Sequence, residues 1–151
     1  MELINVLTRL LYTGRFGVGF NSVYHLTDVP AFVSGHHIVW FDPHLRHLGQ
    51  NRGAEPGRRI KFTPQSGQKL VAQHPDTFAP FEGMFGLNFR NHFPGTLFRF
   101  ALRTPEQAET SEISRVVYDD TKMRAVLAAF EESAAEALLF LRNIESVEVI
   151  I

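Results

Sequence analysis

Gly14-Arg15-Phe16-Gly17-Val18-Gly19-Phe20-Asn21-Ser22 sets a glycine-rich turn directly before a run with Phe20, Val23 and Tyr24 at helical spacing. Glycines let a backbone turn tightly and approach a ligand without side-chain obstruction. The first N–H groups of a following helix have no intrahelical partner and sit at the positive end of the dipole. The stretch therefore has the makings of an anion site, with phosphate as the usual guest. Glycine-rich turns also serve as plain connectors, and spacing alone leaves both readings open. Two alternatives fail at once. A P-loop needs a lysine after its last glycine, and none follows here. The dinucleotide fingerprint needs Gly-x-Gly-x-x-Gly after a strand; here the order is inverted, and the preceding Val6 to Tyr12 is leucine-rich and helix-prone.

Working outward, 151 residues make about one domain. A hydrophobic fraction of 44% with 21% charged residues is that of an ordinary globular protein. The net charge of −1 and the dispersed basic residues give no electrostatic footprint for nucleic acid or anionic membrane. The nearest candidate, Arg52, Arg58, Arg59 and Lys61, reads as a solvated loop. Cysteine is absent, which excludes disulfides and thiolate chemistry and fits a reducing compartment. No apolar run reaches the roughly 20 residues of a membrane span. Met1 to Thr13 has Glu2 ahead of any basic residue and no small-residue cleavage site. The expectation is a cytoplasmic protein.

Along the chain the spacing predicts a short helix over Leu3 to Leu11 and a second over Gly17 to Leu26, stopped before Pro30. His37-Ile38-Val39-Trp40-Phe41 reads as a buried strand, and a short strand follows near Arg59 to Phe62. Phe78, Phe81, Phe85, Phe89 and Phe93 recur every three or four residues. The Pro80, Gly83, Gly86 and Pro94 among them predict short turns plugging a core edge rather than one helix. Thr96 to Leu102 reads as a strand with both faces apolar. Asp120 to Arg142 predicts a long helix with a stripe of Met123, Val126, Leu127, Phe130, Ala134, Ala137, Leu138 and Leu141. Ser146 to Ile151 predicts a final strand. The expected architecture is an α+β, two-layer sandwich with helices on one face of a mixed sheet.

Beyond this reading of the residues, the words along the chain resemble a known family. Gly14 through Pro30 (Gly-Arg-Phe-Gly-Val-Gly-Phe-Asn-Ser-Val-Tyr-His-Leu-Thr-Asp-Val-Pro) is similar to the lid glycine box of sacsin-type repeats. These belong to the GHKL (Bergerat-fold) ATPase superfamily, with gyrase, histidine kinases and the ninety-kilodalton heat-shock chaperone. The likeness continues through Ser34-Gly35, Phe41-Asp42-Pro43-His44, Phe81-Glu82-Gly83-Met84-Phe85, Gly95-Thr96-Leu97-Phe98-Arg99-Phe100 and Tyr118-Asp119-Asp120. It covers about Gly14 to Ile151, leaving residues 1–13 as a leader outside the family. The resemblance implies a partial Bergerat fold. It implies that Gly14, Arg15, Phe16, Gly17, Val18, Gly19 and Phe20 hold the phosphates of ATP, and that Thr96 sits on the floor of the adenine pocket.

The departures from the family pattern bear on chemistry. The Glu-x-x-x-Asn motif that polarises the attacking water and holds Mg²⁺ is absent; Glu2 and Asn5 are three apart, and the i+4 residue of Glu2 is Val6. None of Asp28, Asp42, Asp76, Asp119 and Asp120 begins Asp-x-Gly-x-Gly, the adenine reader. The expectation is a truncated, chaperone-related, ATP-binding domain without autonomous hydrolysis. It carries no catalytic residue, and Mg²⁺ enters only where another segment supplies the missing motifs. Chaperone machinery, or another chain completing the fold, are the implied partners; the alternative is a non-catalytic interaction module or a fragment of a larger active ATPase. His36, His37, His44 and His47 with Asp42 invite a metal reading, but their spacing is not that of a zinc module, and a structural turn is favoured. Ser22 and His25 lack the third group that would orient a base.

Overall fold

A computed structural model of the chain describes residues 19–49, 55–140 and 146–149. The expected helix over Leu3 to Leu11 and the glycines at 14 and 17 lie outside these residues. The first described element is a 3₁₀ turn, Phe20–His25, where a longer α-helix is expected. Ser22 Oγ bonds back to the Gly19 carbonyl at 2.7 Å, and the turn closes ahead of Pro30.

Four strands follow the period-2 logic of half-buried sheets. β1 (Pro30–Gly35) turns Ala31 and Val33 inward; β2 (His37–Phe41) turns Ile38 and Trp40 the same way. β3 (Gly57–Lys61) and β4 (Phe93–Phe100) complete the sheet in the order β3-β2-β1-β4. Every pairing among the described residues is antiparallel, so the mixed sheet expected from sequence is not seen there. Val33 faces Ile38 on one side and Leu97 on the other, which builds one continuous apolar face. Ser146–Val149 is irregular, a correction to the strand expected over 146–151; the last two of those residues lie outside the described set.

The segment between β3 and β4 covers that face. Thr63 caps α1 (Pro64–Gln73) by accepting from Ser66 N, while Ser66 Oγ accepts from Thr63 N at 2.8 Å, and Pro64 occupies the first helical turn. α2 (Pro75–Phe78) follows directly. The phenylalanine series then runs through turns, as its prolines and glycines require. Phe78, Phe81, Phe89 and Phe93 are buried with Phe62 and Leu87, whereas Phe85 stays 43% exposed. Phe89 meets Phe62 and Phe78 edge-on, with centroids 5.4 and 5.1 Å apart. Each fully buried phenylalanine contributes about 1.5–3 kcal/mol. This aromatic plug is the core of the α+β fold.

After β4 the chain makes α3 (Pro105–Thr110), capped by Thr104 and Gln107, and the long α4 (Asp120–Phe140). α4 starts at the predicted Asp120 and is helical through Phe140; the last two residues of the expected helix lie outside the described residues. Met123 alone of its residues is buried.

Candidate functional site

The second face of the sheet carries the residues singled out from sequence. Phe32, Phe41, Phe98 and Phe100 project from β1, β2 and β4 and are half-buried. Phe32 stacks on Phe41 at 6.0 Å and leans on Phe98 at 5.5 Å. Phe20, the last of the residues expected to hold the phosphates, lies over this row, 5.3 Å from Phe41 and 6.0 Å from Phe98. Thr96 is two residues from Phe98, on the same face and about 6.6 Å along the strand. The structure therefore brings Phe20 and Thr96 to one side of one sheet. Gly14, Arg15, Phe16, Gly17 and Val18 lie outside the described residues; Gly19 opens the 3₁₀ turn and is exposed.

Thr96 has a partner that sequence reading missed. Its Oγ1 donates to Ser34 Oγ at 3.0 Å, across the β1–β4 pair Ser34↔Thr96. The pair joins positions 62 residues apart, so no local pattern announces it. Two hydroxyls paired in this way leave acceptor lone pairs for a further donor.

A second group locks the turn that begins at Phe20 to the segment after β4. The Arg103 side chain is 1% exposed. Its Nη2 and Nη1 donate to the carbonyls of Tyr24 and His25 at 2.5 and 2.8 Å, and its Nε donates to Asp28 Oδ1 at 2.6 Å. A buried guanidinium is tolerated when its charge and donors find partners, and here Asp28 meets the charge while each of the three nitrogens donates to an acceptor. Ser111 Oγ also donates to Asp28 Oδ1, at 3.0 Å.

Asp42 organises the adjoining turn. It is 1% exposed and accepts from Arg46 N on Oδ1 and from His47 N and Leu48 N on Oδ2, at 3.2, 2.7 and 2.9 Å. Burial alone would raise its carboxyl. The three N–H donors, helped by the nearby His47, outweigh burial and hold it below its ordinary value. Burial raises the Tyr24 phenol, and the Asp42 charge raises it further. The carboxylate is thus committed to the backbone of its own turn. His44 Nδ1 pairs with Glu112 at 3.1 Å, Arg46 also contacts Glu112, and His47 approaches Asp28 at 3.9 Å. Around these groups lies a polar cavity of about 140 Å³, lined by Asp28, His44, His47, Ser111 and Glu112 among others. Its ionisable groups already have partners: Asp28 bonds Arg103, His44 and Arg46 meet Glu112, and Asp42 accepts from backbone N–H groups. Among the described residues no three histidines and carboxylates are disposed to hold a metal ion, and no helix is long and apolar enough to cross a membrane.

Comparison with known proteins accounts for the block of sequence that builds this face. The family model of the Sacsin domain matches residues 8–151. Human Sacsin is 38% identical over 143 residues, which is 92% of this chain and 3% of that protein. The chain thus spans a small part of the curated relative it matches. With nearly its whole length matched, from before the glycine box to its last residue, the chain belongs to the Sacsin domain family.

Proposed function

We propose that this chain is a sacsin-type, chaperone-related domain of the GHKL ATPase kind that holds the phosphates and floor of a nucleotide site without hydrolysing ATP by itself. Supporting this reading is the position of Phe20 on the sheet face that also carries Thr96. A nucleotide held at the glycines before Phe20 would then lie along the sheet face that Thr96 shares. Gly17, Val18 and Gly19 supply amides to the phosphates, Arg15 adds a positive charge, and Thr96 faces the base through its hydroxyl. Backbone amides bind anions without any catalytic group. The general base, metal ligand and adenine-reading aspartate of the family pattern are absent from the sequence, so the chain alone has nothing to activate water.

Titration of labelled ATP onto the purified chain tests the reading. Binding should be saturable, competed by unlabelled ATP, and weakened at least about tenfold by Gly17→Asp, which sets a carboxylate against the phosphates. Mg-ATP turnover should be undetectable. No binding at millimolar ATP, or binding indifferent to Gly17→Asp, sinks the phosphate assignment. Turnover by the chain alone sinks the claim that it is inert. A second reading, part of a larger active ATPase, draws on the small share of human Sacsin that the chain spans. It predicts turnover on mixing with a segment carrying Glu-x-x-x-Asn and Asp-x-Gly-x-Gly.

A further inference from the structure

β3 stands at one end of the sheet order β3-β2-β1-β4, and among the described residues no strand lies on its far side. The bonds at its two ends show which backbone groups are left over. Phe62 N donates to the His36 carbonyl and Asp42 N to the Pro56 carbonyl, both at 2.8 Å. Antiparallel pairs alternate between those that exchange N–H and C=O and those that do not. With the register His37↔Lys61 to Phe41↔Gly57, Arg58 and Ile60 bond to β2. Gly57, Arg59 and Lys61 therefore turn their N–H and C=O groups outward, one donor and one acceptor each. An open row of this kind is a template for one more strand.

The side chains on that edge choose the strand. Arg58, Arg59 and Lys61, read from sequence as a solvated loop, lie on β3 and are exposed. Among the described residues none of the three has a carboxylate within ion-pair distance. Arg59 and Lys61 share one face of the sheet, beside Val39 and His37. Ile60 faces the other way, beside Ile38, and packs half-buried against the core. Charges on an edge also guard against aggregation. That role turns away a second copy, because two antiparallel β3 edges set these cations against one another. It does not turn away an acidic strand.

We propose that the free edge of β3 takes up an extended acidic segment of a partner protein as an added strand. The segment runs antiparallel, with carboxylates two residues apart opposite Arg59 and Lys61. An apolar side chain between them lies opposite Ile60. Both pairs of charges repeat at about 6.8 Å along their strands, so they stay in step. Main-chain bonds give the affinity, and the order acid, apolar, acid gives the choice of partner.

A capped, fluorophore-labelled peptide, Thr-Val-Glu-Val-Glu-Val-Thr, tests this by anisotropy against the whole chain at about 0.15 M salt. Binding should saturate below about one millimolar chain. N-methylation of the two glutamate nitrogens, which face β3 in this pairing, should weaken it at least about tenfold. N-methylation of two valine nitrogens, which point away, should change it less than about threefold. Both comparisons use the unaltered chain, so its folding is not in question. Arg59→Glu with Lys61→Glu should lose the acidic peptide and gain the same peptide with lysines for glutamates. That gain excludes misfolding of the variant. No saturable binding of the acidic peptide overturns the proposal. So does an equal loss from methylating either set of nitrogens, which makes the edge a charge patch and not a strand template. An oligothymidylate, or a scrambled peptide with adjacent glutamates, that binds as tightly overturns it in the same way.

Discussion

Asp42→Ala probes the turn between the sheet and the Arg103 lock. The carboxylate accepts three N–H groups, and hydrogen bonds to a charged group contribute about 1.5–3 kcal/mol each. The full sum is not available. Arg46 and His47 lie in exposed positions, so water replaces much of what their N–H groups lose, whereas Leu48 is half-buried. A cost of about 3 kcal/mol follows, or about 6–12 °C in melting temperature for a chain of this size. Asp42→Asn should cost less, about 1–2 kcal/mol, because its one oxygen can keep His47 and Leu48 while its NH₂ group opposes Arg46 N.

The pH dependence separates this account from simple loss of packing. The Asp42 carboxyl is held below its ordinary value in the folded protein, so the unfolded chain takes up the proton first as pH falls. Its contribution is therefore whole above about pH 5, clear of the ordinary carboxylate range near 3.9, and fades as pH drops through the lowered folded value. Urea unfolding followed by circular dichroism, from pH 7 down to about pH 3, should show the stability gap between wild type and Asp42→Asn constant at first and closing in acid. A gap below about 1 kcal/mol for Asp42→Ala, or one that does not change with pH, refutes the reasoning.

Gly67→Ala should destabilise even though alanine favours helices by about 1 kcal/mol. A Cβ at Gly67 would lie inside the Phe89 carbonyl group, 2.8 Å from its carbon, and forced overpacking costs about 1–3 kcal/mol or more; a thermal melt showing a rise in stability would contradict the close approach of α1 to the phenylalanine loop. Arg103→Met should cost about 3–5 kcal/mol by leaving Asp28 and two carbonyls without their donor, and Arg103→Met with Asp28→Asn should recover part of that; additive costs in a denaturation cycle would mean the pair is not coupled.

How much of this was legible depends on whether the cause was local. β2 was read to the residue, because five β-prone residues lie between turn signals. The phenylalanine series was read as turns because prolines and glycines forbid a helix there, and four of its five rings are buried. β1 is hidden because Pro30 reads as a helix stop, although proline is also accepted as the first residue of a strand. α1 and α3 lack a clear apolar stripe, yet each announces itself with a threonine cap and a proline behind it. For α3 the Thr104-x-x-Gln107 capping box was in plain view. Ser146 to Ile151 failed in the opposite way. β-propensity measures fit to a pleated surface, and Ser146–Val149 has no strand beside it among the described residues.

The candidate site divides along the same line. Glycines and a strand-opening threonine are visible one at a time, since their conformational freedom and β-branching are properties of single residues. What makes them a site is not visible so. The Thr96–Ser34 bond spans 62 residues and the Arg103–Asp28 pair 75, and both depend on β1 and β4 lying side by side. Nothing local to Arg103 marks its guanidinium as the group that clasps the carbonyls of the turn that starts at Phe20. That clasp gives the glycine box a fixed end. A loop whose far end is tied by a buried arginine loses less entropy on ordering around a phosphate than one free at both ends. If so, loosening the clasp with Arg103→Lys should weaken ATP binding through ordering alone, without touching a group that meets the nucleotide. Equal affinities in the titration above would separate the lock from the site.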